Sequence, residues 1–219
     1  INLYKRDYSK LLKKSILVPK LLLGFSNKIN STGLTLHIGG YGILNNLGKN
    51  VQEQSLRKPK LVLAPHGALF VAYKKALLNL GPFDPYYFAF LEDLDMGLRA
   101  YIRGYYVTYI PFLVACHLWG RSWGRKISKT KYYLSERNRL LTILKNVPRK
   151  YIAMFILPMI LSEIISLGYA LINRQITIKF RIYADIVRIL PTIMRTRKKL
   201  MSEEKKILDK YILNFITTK

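Results

Sequence analysis

Strand-like and helix-like patterns alternate between residues 61 and 111, and this alternation constrains the fold most. Lys74–Leu80 is typical of a helix and is followed by Gly81, a residue that favours helix ends. Tyr105–Ile110 is rich in aromatic and β-branched residues and predicts a strand. We expect this strand to stop at Pro111, because proline has no N–H to donate to a sheet. Elements of this length in alternation predict an α/β domain.

A second helix is predicted from Glu92, because apolar residues recur at helical spacing up to its expected end at Gly104. These apolar residues are Leu94, Leu98, Tyr101 and Ile102. Nearer the N-terminus, Leu34–Ile38 predicts a strand. The apolar runs on either side of Pro19 predict only a short strand or an irregular sheet edge.

Charge is distributed unevenly along the chain. The formal net charge is +25, yet residues 61–117 contain four basic and four acidic residues. A chain that is both basic and apolar usually contacts nucleic acid or an anionic membrane. The neutral middle and the apolar stretch 151–172 argue against nucleic acid, so we expect an anionic membrane surface as the partner. The single cysteine, Cys116, excludes an intramolecular disulfide and fits a reducing compartment.

Three carboxylates lie within four positions: Glu92, Asp93 and Asp95. Acidic residues in a first helical turn complement the helix dipole, and Asp95 and Arg99 are spaced as an ordinary helix-surface pair. Asp93 and Asp95 also imitate an Asp-x-Asp metal motif. Residues two apart on a helix point about 200° away from each other, however, so this pair is poorly placed to chelate one ion.

Short motifs follow one another in order across residues 16–145. They are Gly67-Ala68-Leu69-Phe70, Gly81-Pro82-Phe83-Asp84, Glu92-Asp93-Leu94-Asp95-x-Gly97-x-Arg99, Gly104-Tyr105, Pro111, His117, Gly120, Ser122, Tyr132 and Arg137-Asn138-Arg139. Each motif is weak alone. The ordered set resembles the second half of the catalytic domain of family 2 glycosyltransferases, most closely the rhamnosyltransferase-type members.

The resemblance implies that residues 1–145 form the C-terminal half of the A-type nucleotide-sugar glycosyltransferase fold, a mixed sheet flanked by helices. It also implies transfer of a sugar, with inversion, from a nucleotide-diphosphate donor to a lipid-linked or polysaccharide acceptor. This chemistry needs a carboxylate that takes the proton from the acceptor hydroxyl. By resemblance, Asp93 is that base, and Glu92 supports it or binds acceptor hydroxyls.

The resemblance assigns further residues to the substrate and a metal. Gly67 and Ala68 would lie against the donor sugar, where side chains must be small, and Asp95 is expected to bind substrate. His117 is either a packed, hydrogen-bonded residue or a ligand of a divalent metal, Mn²⁺ or Mg²⁺. Trp119 and Arg121 belong either to a flap over the diphosphate or to a solvated loop beside the membrane.

The chain also departs from the family pattern. The nucleotide-binding half and its Asp-x-Asp metal ligands have no counterpart here, and Asp7 has no acidic residue two positions earlier. We therefore expect a part of a longer protein or a partner of a separate N-terminal half. No charged segment followed by an apolar run appears near Ile1, so no signal peptide is expected. His37 and His66 gain nothing from the resemblance and are expected to be structural or surface residues.

Residues 146–219 are predicted to be a helical, membrane-associated segment. The 22-residue stretch Tyr151–Ile172 has Glu163 as its only charge, and as a helix it would measure about 33 Å against a bilayer core of about 30 Å. A central carboxylate is costly in lipid unless it is paired. An in-plane or re-entrant helix is therefore as consistent with the sequence as a membrane span.

A basic helix is predicted after this stretch, because four arginines recur every seven residues: Arg174, Arg181, Arg188 and Arg195. Isoleucines occupy another face: Ile178, Ile182, Ile186, Ile189 and Ile193. The pattern suits either anionic lipid headgroups or a helix packed on the domain with a solvated basic face. The Lys-rich end of the chain is expected to be a surface or partly disordered tail.

Two functions therefore compete. The first is an inverting glycosyltransferase of polysaccharide biosynthesis, or a fragment of one, at the cytoplasmic face of the cell membrane. The second is a non-catalytic membrane-surface interaction protein that derives from a split or decayed glycosyltransferase.

Overall fold

The computed structural model describes residues 13–81, 83–118, 124, 127–203 and 207–218. Within these residues the fold is mixed α/β, and its elements are numbered in chain order. The strands are β1 (Ser15–Leu23), β2 (Ile29–Ser31), β3 (Leu34–His37), β4 (Gly42–Leu44), β5 (Lys60–Leu61), β6 (Val71–Ala72), β7 (Tyr106–His117) and β8 (Ile216–Thr217). The α-helices are α1 (Lys74–Leu80), α2 (Glu92–Ile102), α3 (Lys129–Asn146), α4 (Arg149–Ile172), α5 (Ile176–Ser202) and α6 (Ile207–Tyr211).

The main sheet is mixed, and helices flank it. Its strand order is β2-β1-β7-β5, and β6 also pairs with β1. β1 and β7 run parallel, whereas β2 and β6 are antiparallel to β1 and β5 is antiparallel to β7. A second, small sheet has the order β4-β3-β8. This confirms the predicted α/β class with a mixed sheet.

Two predictions about prolines are wrong. The segment around Pro19 is not an edge but the long strand β1, and β7 continues through Pro111 to His117 instead of stopping. The register between β1 and β7 shifts here, because Pro19 lies opposite Ile110 whereas Lys20 lies opposite Val114. An irregularity of this kind leaves residues without ladder partners, so a proline can be accommodated within a central pair of strands.

The predictions for the first helices are confirmed. α1 spans the predicted residues and ends at Gly81, whose φ of 76° is left-handed and favours glycine. α2 begins at Glu92, and Gly104 follows it with a φ of 83°. Gly97 lets α2 approach the main sheet closely, because a Cβ at this position would lie 2.4 Å from the carbonyl oxygen of Leu63.

The C-terminal end does not form a surface tail, contrary to the prediction. Leu208, Ile212 and Phe215 are buried in the same hydrophobic cluster as Ile16 and Val18 of β1. β8 then pairs in parallel with β3. The end of the chain is therefore packed into the core that the predicted ranges 1–145 and 146–219 share.

α3, α4 and α5 pack next to one another. In α5 the isoleucines Ile182, Ile186 and Ile193 are buried, whereas Arg181 and Arg188 are largely exposed, with 74% and 77% of their side chains accessible. The isoleucine face thus packs on the protein, and the basic face points outwards. α5 is therefore packed against the domain, and contact of its exposed basic face with lipid headgroups stays a prediction.

Candidate active site

The loop before α2 is held in an unusual conformation. Phe88, Phe90 and Leu91 all have left-handed backbone angles, with φ of 60°, 67° and 65°. Non-glycine residues rarely adopt this conformation unless their surroundings enforce it. The amide of Asn138 on α3 donates to the carbonyl oxygens of Tyr87, Ala89 and Phe90, at 2.9, 2.7 and 2.8 Å. The motif on α3 therefore fixes the loop that places the first turn of α2.

Asp93 lies at this first turn and accepts two backbone hydrogen bonds. The N–H of Gly67 donates to its Oδ2 and the N–H of Leu94 donates to its Oδ1, both at 2.8 Å. Burial, together with the nearby charge of Glu92, raises the pKa of Asp93 to about 7. A carboxyl group with this pKa can accept a proton near neutral pH, as a general base must.

Glu92 is less constrained than Asp93. Its Oε2 is buried and has no hydrogen-bond partner among the described residues. Burial raises the pKa of Glu92 above its ordinary value, and the charge of Asp95 adds to this effect. Glu92 itself lines the cavity next to the base.

Asp93 and Glu92 open into a cavity of about 590 Å³. Its lining includes Tyr41, His66, Gly67, Ala68, Phe90, Leu91, Glu92, Asp93, His117, Leu118, Lys131 and Ser135. At Gly67 a Cβ would lie 3.3 Å from Asp93 Oδ2 and from Glu92 Oε1, so a larger side chain would press on both carboxylates. The structure thus brings Glu92, Asp93, Gly67, Ala68 and His117 to one cavity.

His117 is placed at the end of β7 by a polar contact. Its Nδ1 lies 2.9 Å from Oδ1 of Asn30, a buried residue of β2. When Nδ1 carries the proton for this bond, Nε2 has a free lone pair. His117 is therefore hydrogen-bonded through Nδ1, and its second ring nitrogen, Nε2, can still bind a ligand.

His66, expected from the sequence to be a structural or surface residue, lies in the cavity wall beside His117. It lines the cavity, and its ring lies edge-on to His117 with 5.2 Å between ring centroids. The N–H of Ala68 donates to Nδ1 of His66 at 3.0 Å. Burial, followed by the proximity of His117, lowers the pKa of His66 to about 4. His66 is therefore neutral at pH 7, with Nε2 as its N–H donor.

The expectation that Asp95 binds substrate is wrong, because Asp95 does not reach the cavity. It is fully buried, and its Oδ2 accepts from Arg99 at 2.8 Å. Its Oδ1 lies 2.6 Å from the ammonium of Lys145 and accepts from Asn146 at 2.8 Å. Asp95 thus joins α2 to α3 inside the protein, on the side of the helix away from Asp93, and does not bind substrate.

Two predicted site residues, Trp119 and Arg121, lie outside the described residues. The described residues also give no complete metal site, since no group of three His, Cys, Asp or Glu side chains in them could hold an ion. His117 with its free Nε2 is one suitable donor. The residues that the structure describes do not suffice to hold Mn²⁺ or Mg²⁺.

Tyr41 was missed by the sequence analysis. Its hydroxyl donates to Glu136 at 3.0 Å, and the guanidinium carbon of Arg139 lies 4.7 Å from the centre of its ring. Arg139 also donates to the carbonyl oxygen of Gly39 at 2.9 Å. These contacts join the cavity wall to α3 across about a hundred residues of sequence, so no local pattern could have indicated them.

A scan against protein-family models finds no match for this chain, and a search of curated proteins finds none either.

Proposed function

We propose that the chain is the acceptor-activating part of an inverting glycosyltransferase related to family 2, with Asp93 as its general base. The observation that carries this proposal is the half-buried carboxyl group of Asp93, which opens into a 590 Å³ cavity and whose surroundings raise its pKa to about 7. The ordered motifs of the sequence support the same assignment. The mixed sheet is consistent with the C-terminal half of the A-type nucleotide-sugar fold.

In the proposed reaction Asp93 takes the proton of an acceptor hydroxyl group. The hydroxyl oxygen forms a bond to the anomeric carbon of the donor sugar as the bond from that carbon to the diphosphate oxygen breaks. The configuration inverts, and the nucleoside diphosphate leaves with the bonding electrons. Glu92, which lines the cavity, binds an acceptor hydroxyl through its carboxylate, and the Nε2–H of His66 donates to the bound sugar or acceptor.

The hydrogen bond from Gly67 keeps Asp93 aimed at the cavity while the proton moves. Gly67 and Ala68 leave room for the sugar. A larger side chain at Gly67 would press on Asp93 and Glu92, because a Cβ there would lie 3.3 Å from an oxygen of each carboxylate. The nucleotide and the ligands of a divalent metal, Mn²⁺ or Mg²⁺, would bind to parts of the protein beyond the described residues. The acceptor is a lipid-linked or polysaccharide glycan, and the protein acts at the cytoplasmic face of the cell membrane.

The test is the rate of sugar transfer by the complete protein, measured as release of nucleoside diphosphate. UDP-, GDP- and dTDP-activated hexoses are supplied with a membrane extract as the acceptor source. We expect Asp93→Asn to lower the rate by about 10²- to 10⁴-fold, the usual contribution of a general base, and to leave donor binding intact. The rate of the unmodified protein should rise with pH up to about pH 7, because only ionised Asp93 accepts the proton.

Glu53→Gln is the matched control, since it removes an exposed carboxylate from an ordinary surface ion pair with Lys49. This variant should retain the full rate. An unchanged rate in Asp93→Asn would remove Asp93 from the proposed role.

The alternative is a non-catalytic membrane-surface interaction protein, and the outward apolar residues of α4 favour it. Under this alternative no donor is turned over, and binding to membranes is unaffected by Asp93→Asn. Transfer activity that depends on Asp93 would exclude it.

A further inference from the structure

α4 is long and apolar enough to cross a membrane, and only 17% of its most apolar window is buried in the protein. Large apolar residues on its outer face are exposed: Ile156, Leu157, Ile160, Leu161, Ile164, Ile165, Leu171 and Ile172. A continuous exposed surface of this kind marks an interaction site.

The inner face of α4 carries Glu163, and this residue is fixed by charges on two neighbouring helices. Glu163 pairs with Arg139 of α3, and its Oε2 lies 2.8 Å from Nζ of Lys179 of α5. Glu136 completes the group, at 2.9 Å from Arg139 and 2.8 Å from Lys179. We call these four residues the buried ion cluster.

The buried ion cluster opposes a membrane-spanning arrangement of α4. The side chains of Arg139 and Lys179 are fully buried, and the cluster has two positive and two negative charges. If α4 left the protein to cross a bilayer, Glu163 would enter lipid unpaired and both buried cations would lose a partner. Breaking a buried ion pair strands charges in a low-dielectric medium and is strongly unfavourable.

The neighbouring surface of α5 carries the opposite charge to an anionic membrane. Arg181 and Arg188 are exposed, and both contact the carboxylate of Asp185. Apolar residues on the same helix are exposed as well: Phe180, Val187, Leu190 and Met194. An apolar strip beside arginines suits lipid at the depth of the headgroups. Two copies of the chain would instead bring like charges together across such a face.

We propose that α4 lies in the plane of an anionic bilayer leaflet, with its outer face among the acyl chains and the arginines of α5 at the headgroups. Both ends of α4 are then on the same side of the membrane.

The first test measures membrane topology by cysteine labelling of the full chain. Cys116 is exposed, so Cys116→Ser provides the background. Lys150→Cys and Asn173→Cys mark the two ends of α4, and Ile164→Cys marks its outer face. Each protein is bound to vesicles of 70% phosphatidylcholine and 30% phosphatidylglycerol, and a membrane-impermeant maleimide is then added outside.

We expect both end positions to be labelled at the rate seen without vesicles, and Ile164→Cys to be labelled at least tenfold more slowly. Labelling of one end only would indicate a membrane span and overturn the proposal. Equal labelling of Ile164→Cys with and without vesicles would also overturn it.

The second test measures binding to the same vesicles by sedimentation. Ile164→Asp/Ile165→Asp should weaken binding at least tenfold, whereas Leu213→Asp, at an exposed apolar position outside α4 and α5, should not. Arg181→Gln/Arg188→Gln should weaken binding by roughly 30-fold, since each basic residue near the surface contributes about 1 kcal/mol. Arg57→Gln/Lys58→Gln is its matched control on another surface.

Thermal unfolding of every variant establishes that it is folded. If the aspartates of the double variant dissolve a dimer but leave vesicle binding unchanged, the outer face of α4 is an interface between copies and the proposal fails.

Discussion

The protein places buried and half-buried carboxylates in two regions with opposite surroundings. Asp93 and Glu92 lie beside the cavity, where Asp93 accepts hydrogen bonds from backbone N–H groups, and burial raises the pKa of both. Glu136 and Glu163 lie in the buried ion cluster. Burial would raise the pKa of Glu136 as well, but Arg139 and hydrogen bonds from Lys179 and Ser166 outweigh it and lower this pKa to about 2.

The groups in contact with a carboxylate inside the protein therefore determine whether it stays ionised or can exchange a proton. A carboxylate that faces two cations remains ionised and holds helices together, whereas one that meets only N–H groups can exchange a proton near pH 7. Asp95 shows the same contrast within one helical turn. It lies two residues from Asp93, yet its pKa is lowered because the charges of Lys145 and Arg99 exceed the effect of its burial.

The largest expected effect comes from removal of a cation from the buried ion cluster. Lys179→Met leaves Glu136 and Glu163 to share Arg139, and we expect the free energy of unfolding to fall by about 3–5 kcal/mol. Urea unfolding at pH 7 measures this change. Lys198→Met replaces an exposed lysine of the same helix and should change the stability by less than about 0.5 kcal/mol. A similar small effect for Lys179→Met would mean that the cluster does not hold α4.

In the cavity region, removal of a charged group should raise the free energy of unfolding instead of lowering it. The pKa of Asp93 is about 7 in the folded protein against an ordinary value of 3.8, so ionisation costs stability progressively as the pH rises from about 4 to about 7. Asp93→Asn cannot ionise. It removes this cost but also one acceptor for the N–H groups of Gly67 and Leu94, so we expect a net stabilisation of about 2 kcal/mol at pH 8.

The removed ionisation cost and the lost hydrogen-bond acceptor of Asp93→Asn can be distinguished because only the first depends on pH. At pH 4 Asp93 is protonated in the folded protein and its ionisation costs little, so the lost acceptor should dominate and make the variant less stable by about 2 kcal/mol. Urea unfolding at pH 4 and pH 8 checks this, with Glu53→Gln as the exposed control. Destabilisation at both pH values would indicate that Asp93 serves structure, as Asp95 does.

The sequence predicted those parts of the site that depend on local order. Helical spacing and glycines located α1 and α2, and the motif order located Asp93, Glu92, Gly67 and His117, which the structure brings to one cavity. The angle between positions i and i+2 on a helix also indicated that Asp93 and Asp95 would face apart. These signals act over a few residues, so a single sequence contains them.

The remaining features depend on contacts between distant residues. Of the partners of Asp95, only Arg99 lies at helical spacing, whereas Lys145 is fifty residues away. His66 joins the cavity because β7 brings His117 beside it. β7 continues through Pro111 because its register against β1 shifts at Pro19. This shift depends on the pairing of the two strands, so the sequence of either strand alone does not reveal it.

The smallest expected effect separates charge from hydrogen bonding in the buried ion cluster. The hydroxyl of Tyr183 donates to Glu163 at 2.5 Å, so Tyr183→Phe removes this bond and keeps both cations. We expect a loss of about 1.5 kcal/mol, the usual range for a bond to a charged group. Tyr73→Phe, at an exposed tyrosine, should have no measurable effect in the same urea titration. If Tyr183→Phe destabilises as much as Lys179→Met, hydrogen bonds and not ion pairs keep α4 on the protein, and the contrast between the two regions would rest on bond geometry instead of charge.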